Sequence, residues 1–140
     1  MTAEDREPQQ QAGKGSVLLV DDDKFLMDMY GMKFAGNGYQ VQTCLSATEA
    51  LDAIRAGFKA DAIVFDLVMP EKDGFSLLED LKSGQLAEGS ALIALTNQSD
   101  DAEKQKAESL GAHRYIVKAS MIPSEVVGVV GEEIAKRKAK

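Results

Sequence analysis

The chain has 140 residues, 44% of them hydrophobic, and a formal net charge of −7. That length predicts one domain whose core needs neither disulfides nor a structural metal, and the single cysteine, Cys44, excludes an internal disulfide. The acidic balance argues against direct nucleic-acid binding; no apolar run approaches the roughly 20 residues that span a bilayer, and the polar first fifteen residues carry no leader pattern, so the expected compartment is a reducing cytoplasm.

Residues 1–15 hold no aliphatic side chain beyond Met1 and alanine. They read as a disordered tail, leaving 16–140 as the domain. Val17-Leu18-Leu19-Val20, Ile63-Val64-Phe65, Ala91 to Leu95 and Tyr115-Ile116-Val117 are short continuous apolar runs. Such runs suit strands buried on both faces. Tyr39-Gln40-Val41-Gln42-Thr43 alternates instead, as an edge strand with one wet face does.

Helical patterns fill the intervals. In the first, Leu26, Met29, Tyr30 and Phe34 recur at helical spacing, and Asn37-Gly38 stops it. Ser46-Ala47-Thr48-Glu49 is a capping box opening the second, which buries Ala50, Leu51 and Ile54. The third follows Gly74 and carries Leu77, Leu78 and Leu81. The fourth runs from about Asp100 to Leu110, before Gly111. The fifth starts near Pro123 with Val126, Val127, Val130 and Ile134. Gly128 and Gly131 weaken it, by roughly 1 kcal/mol each relative to alanine, and its Lys136-Arg137-Lys138 end reads as solvated cations on the negative helix pole.

Strand and helix thus alternate five times. The pattern predicts an α/β fold with a doubly wound parallel sheet, helices on both faces and right-handed crossovers. Ligands in such sheets bind at the carboxyl ends of the strands. Strand one ends in Asp21-Asp22-Asp23, strand three in Asp66, strand four in Thr96, and strand five near Lys118. The fold therefore gathers carboxylates, a hydroxyl and an ammonium into one cleft. Two carboxylates about 4 Å apart repel by on the order of 4 kcal/mol at an effective dielectric near 20. Either a pKa rises or a cation binds. Hard oxygen ligands on a partly open site suit Mg²⁺. A metal-bound carboxylate at a strand end can attack phosphorus, with the hydroxyl and ammonium bonding oxygens of the product. A nucleotide cradle is excluded, because the turn after strand one is acidic rather than glycine-rich.

With Val17-Leu18-Leu19-Val20-Asp21-Asp22-Asp23, then Asp66 through Gly74, Ala94-Leu95-Thr96 and Tyr115-Ile116-Val117-Lys118, the chain resembles a receiver domain of two-component response regulators, of the single-domain chemotaxis-regulator kind. The resemblance covers roughly residues 16–138 and implies a flavodoxin-like sheet of order 2-1-3-4-5 with five helices. It implies Asp66 as phosphoacceptor. Asp21, Asp22, Asp66 and the main-chain carbonyl of Val68 correspond to the ligands of Mg²⁺, with Mn²⁺ as a substitute. Thr96 corresponds to the hydroxyl that follows the phosphoryl group, Lys118 to the lysine that pairs with it, and Tyr115 to the aromatic switch. The donor is a sensor histidine kinase or a histidine phosphotransfer protein, and a downstream protein reads the switch near the fourth helix, fifth strand and fifth helix. Such a domain is not an enzyme in the ordinary sense; it catalyses only its own phosphorylation and dephosphorylation. The remaining chain is too short for an output domain, so the expectation is a stand-alone regulator or an excised receiver.

Three positions depart from the family pattern. Ala119 follows Lys118 where a cis-proline is usual; a non-proline cis peptide costs about 3 kcal/mol, so this link is either trans or strained. Val68 cannot orient water by hydrogen bonding, and Asn97 stands where a smaller residue is common. Both are expected to tune phosphoryl lifetime. The missing proline is the one support for an alternative, a receiver-like binding module that works without phosphorylation. An aspartate-nucleophile hydrolase needs a second acid two residues after the nucleophile, and Val68 argues against it. Elsewhere the bland readings prevail: Asp23 as an N-cap, Asp61 and Asp73 as turn and cap residues, His113 as structural or surface, Cys44 as a small apolar filler, and Met27, Met29 and Met32 as core.

Overall fold

The computed structural model describes residues 14–97 and 99–138. Among the described residues five strands and five α-helices alternate: β1 (Gly15–Val20), α1 (Lys24–Gly36), β2 (Tyr39–Cys44), α2 (Ala47–Arg55), β3 (Ala62–Phe65), α3 (Gly74–Ser83), β4 (Ala91–Thr96), α4 (Asp101–Ser109), β5 (Arg114–Val117) and α5 (Pro123–Lys138). All four strand pairs are parallel, and the sheet order is β2-β1-β3-β4-β5, the order 2-1-3-4-5 expected from sequence. β1 begins one residue ahead of the expected domain start, and the Lys14 N–H donates to the Gly38 carbonyl at 3.0 Å. The tail expectation otherwise concerns residues 1–13, outside the described residues.

Alternation of side chains along each strand sorts the apolar runs onto two faces. Val17, Leu19, Val64, Ile93, Leu95 and Ile116 pack with Met27, Tyr30 and Phe34 of α1 and with Val126, Val127, Val130 and Ile134 of α5. Leu18, Val20, Ile63, Phe65 and Ala94 pack under α2, α3 and α4. Both faces of the central strands are dry, and only β2 shows exposed positions, as its alternation predicted.

Caps fix where the helices start. Asp23 accepts the Leu26 N–H at 3.1 Å, Asp73 the Ser76 N–H at 2.9 Å and Asp100 the Glu103 N–H at 3.0 Å. Ser46 accepts the Glu49 N–H, while the Glu49 carboxylate reaches back one residue further than in the usual box, to the Leu45 N–H at 2.9 Å.

The methionine reading needs correction. Met27 is buried, but Met29 is 39% and Met32 73% exposed, beside Ile122, at 62%. A helix lying on a sheet buries only one stripe, and in α1 that stripe is Met27, Tyr30 and Phe34, rotated from the one containing Met29. Glycine does not break α5. The helix runs 16 residues, and a Cβ at Gly131 would sit 2.9 Å from the Tyr39 hydroxyl, so the small residue lets α5 approach β2.

Candidate functional site

The carboxyl ends of β1 and β3 deliver the first two acids. The Asp21 N–H continues the β1–β2 ladder to the Cys44 carbonyl at 3.1 Å, and the Asp66 N–H continues β3 onto the Val20 carbonyl at 2.9 Å. Each aspartate is therefore held as a rigid extension of a buried strand. Asp21 is 1% and Asp66 4% exposed, whereas Asp22 faces solvent. One carboxylate oxygen from each of the three lies within 4.8 Å of the others. Asp23, the α1 cap, completes the acidic rim and donates its N–H to Asp21 Oδ1 at 2.9 Å.

Lys118 enters from the end of β5 through a single 3₁₀ turn, Lys118–Ser120. Its Nζ donates to Asp21 Oδ2 at 2.7 Å and to Asp66 Oδ2 at 3.4 Å. The Lys118–Ala119 peptide is trans. Replacement of the usual proline thus leaves the ammonium seated between the two buried acids.

The electrostatics follow from this crowding. Burial first, then the charge of Asp21, push the Asp66 carboxyl above its ordinary value, against the opposing pull of Lys118 and the Val68 N–H. For Lys118 burial pulls downward, but its hydrogen bond and charge contact with Asp21, followed by Asp66, outweigh it, and the ammonium is raised. One lysine serves two buried carboxylates, with a third carboxylate at the rim.

The β3–α3 turn shapes the opposite wall. The Val68 N–H donates to Asp66 Oδ1 at 3.3 Å, and its side chain is 64% exposed. A bond from the Lys72 N–H to the Pro70 carbonyl spans Glu71, whose φ is 68°, the γ-turn form that is rare and strained. Gly74 then brings α3 hard against Asp66: a Cβ there would lie 2.5 Å from the Asp66 carbonyl oxygen. From sequence Gly74 marked a helix start and the end of the Asp66–Gly74 motif. The Asp73-Gly74 pair is the signal for this close approach.

Asp21, Asp22, Asp66, Val68, Asn97, Lys118 and Ala119 line one open cleft of about 620 Å³. Thr96 and Tyr115 do not line it. Thr96 ends β4 opposite Val117 and is 1% exposed. Tyr115 turns to the α4 side of the sheet, where its hydroxyl meets the Asp100 backbone. Phe25, two residues after Asp23 and 88% exposed, was not singled out from the sequence. Its place outside the α1 stripe was the available signal.

The arrangement fits a divalent cation. The donors are hard carboxylate oxygens, close enough to share one Mg²⁺ at its 2.0–2.1 Å bond lengths after small adjustments. Lys118 already occupies that charge-balancing role and would have to yield part of it.

The class these features define is a doubly wound parallel α/β domain with an acidic cluster and a lysine at the carboxyl edge of its sheet, and the comparisons narrow it. The model of the family described as "Response regulator receiver domain" matches residues 17–127. The response regulator SaeR of Staphylococcus epidermidis is 33% identical over 111 residues, 79% of this chain and 46% of that protein. The response regulator MprA of Mycobacterium avium is 31% identical over 102 residues, 73% of this chain and 43% of that protein. The chain spans less than half the length of these curated relatives. Among solved structures, the CheY-like receiver domain protein from Methanospirillum hungatei superposes with a TM-score of 0.81 at 25% identity, covering 89% of this chain and 97% of that one. The Francisella response regulator 1452 receiver domain gives 0.78 at 28% identity, covering 87% and 98%. The chain belongs to the response regulator receiver domain family. No helix among the described residues is long and apolar enough to cross a membrane.

Proposed function

We propose that this domain takes a phosphoryl group onto Asp66 from the phosphohistidine of a sensor histidine kinase or histidine phosphotransfer protein. An Asp66 carboxylate oxygen forms the new P–O bond, the donor's P–N bond breaks, and the imidazole leaves with the electron pair. One observation carries the reading: Asp66 is nearly buried, its pKa is raised by burial and Asp21, and both Asp21 and Lys118 hold positions beside it.

Asp21, Asp22, Asp66 and the Val68 carbonyl would hold Mg²⁺, or Mn²⁺ in its place, which when bound neutralises charge on the phosphoryl oxygens. The chain's own groups do the rest. The Val68 N–H orients the acceptor through Oδ1. Lys118 stands ready to move its charge from Asp21 to a phosphoryl oxygen, a donor already in place as charge develops. Thr96, buried next to the cleft, is the hydroxyl that turns to the new group, and Tyr115 follows it inward from the α4 side. The altered face of α4, β5 and α5 then engages a downstream protein in the cytoplasm. Val68 and Asn97 flank the incoming group and set its lifetime.

The alternative of a phosphorylation-independent module rested on Ala119. Because Lys118 reaches Asp21 at 2.7 Å without the proline, that support falls away. Mass spectrometry after incubation with Mg²⁺ and phosphoramidate tests the proposal. One phosphoryl group is expected, and none with a chelator; an unmodified wild-type mass in the presence of Mg²⁺ would refute it.

A further inference from the structure

At the pole opposite Asp66, the end of α3, the following loop, the end of α4, the start of β5 and the end of α5 surround a cavity of about 320 Å³. That volume lies at the lower end of the small-molecule range of roughly 300–1,000 Å³. Leu81, Leu86, Leu92 and Leu110 give it apolar walls, His113 and Arg137 bring the inner donors, and Lys82 stands at the exposed rim.

Both donors are unusual. His113 Nδ1 accepts the Leu92 N–H at 2.9 Å while the His113 N–H donates to the Leu92 carbonyl at 2.7 Å. This clamp between β4 and β5 fixes the neutral ring and leaves Nε2–H as its remaining donor. Burial and then the charge of Arg137 hold the imidazole pKa below its ordinary value, which keeps the clamp intact at neutral pH. Arg137 Nε is buried with no hydrogen-bond partner, and the guanidinium makes no ion pair among the described residues. Arg114, by contrast, is paired with Glu133 at 3.0 Å. Arg137 is only half-buried, so its fork can turn to present two N–H groups to a carboxylate.

The Gln85–Ser90 loop separates this cavity from a second one, of about 530 Å³. Gln85, at φ 52°, is the left-handed residue that closes α3: its N–H and that of Leu86 donate to the Lys82 and Leu81 carbonyls at 3.2 and 2.8 Å.

We infer that the basal cavity binds a small organic monoanion, a carboxylate on an aromatic or branched apolar body, with the carboxylate on Arg137 and His113 and the body against the leucines. On the exposed rim Glu88 and Glu108 outnumber Lys82, which disfavours multiply charged ligands such as free phosphate.

Benzoate is the probe, added to the uniformly ¹⁵N-labelled full chain and followed by amide NMR. Saturable shifts at Leu92, His113 and Arg137 are expected, with a Kd near 1 mM, within the affinity per atom reached by such small ligands. Benzyl alcohol, the same ring without charge, and inorganic phosphate, charge without a ring, should each bind at least tenfold more weakly. Arg137→Gln should weaken benzoate at least tenfold while keeping the folded spectrum, and Lys136→Gln, outside the cavity lining, should leave it unchanged. No saturation by 20-fold that concentration overturns the proposal. So does equal binding of benzyl alcohol or phosphate, or full benzoate affinity in Arg137→Gln; the ligand comparison stands even where a variant fails to fold.

Discussion

Asp61 and Asp66 flank the same short strand, β3, yet their surroundings differ in kind. At the basal end, Asp61 Oδ2 accepts the Ser16 N–H at 2.8 Å and Oδ1 lies 3.6 Å from Lys138. Its side chain is 32% exposed, so water shares its charge. At the apical end Asp66 is 4% exposed, faces Asp21, and shares one lysine with it. One acid is matched and closes a turn. The other is crowded and raised, a state that stability alone would select against and that chemistry can use. The strand that carries both is the same; what differs is which groups the topology brings to each end.

Breaking the apical side should have the largest effect. Asp66→Asn is expected to abolish phosphoryl labelling, whereas Asp61→Asn should label like wild type; mass spectrometry separates them, and labelling of Asp66→Asn would erase the contrast. Next comes Lys118→Met. Loss of a charged donor aimed at the phosphoryl group should slow labelling about 10²-fold. Calorimetry on the same variant should show tighter Mg²⁺ binding, since no ammonium competes for Asp21. Weaker Mg²⁺ binding would show that Lys118 supports the cation site rather than balancing its charge.

Stability sharpens the comparison from the other end. Asp61→Ala leaves the Ser16 N–H without its acceptor and should cost about 1–2 kcal/mol in urea unfolding without altering the labelling rate. Asp66 should behave oppositely in the absence of divalent ions. Its folded pKa is raised, so its contribution to stability is complete below the ordinary 3.8 and is lost as pH climbs through the folded value. Asp66→Asn should therefore be more stable than wild type at neutral pH, and the gain should vanish in acid. A gain that grows in acid would reverse the sign assigned to the site. The smallest effect belongs to the turn after Asp66. Glu71→Gly removes a non-glycine residue from φ 68° and should stabilise the fold by no more than about 1 kcal/mol.

Much of this was legible in the chain. The apolar runs set the strands, the caps at Asp23, Ser46, Asp73 and Asp100 set the helix starts, and the alternation of β2 placed it at the edge. Asp21, Asp22, Asp66, Val68 and Lys118 were expected together and line one cleft. Less legible were α1 and α5. Periodicity gave helices but left the phase of α1 open, so Met29 and Met32 read as core although they face solvent. Gly131 read as a weakness, because the Tyr39 hydroxyl that it accommodates comes from an element more than ninety residues earlier.

Local chemistry therefore determined the elements, their order and the residue types at each strand end, since period, capping and turn formation are short-range effects that adjacent residues decide. Long-range packing decided the rest: that Lys118 rests closer to Asp21 than to Asp66, that Thr96 and Tyr115 stand outside the cleft, and that Arg137 lies beside His113 with its Nε unmatched. Those outcomes depend on distances between groups far apart in the chain, and such distances exist only once the sheet has closed.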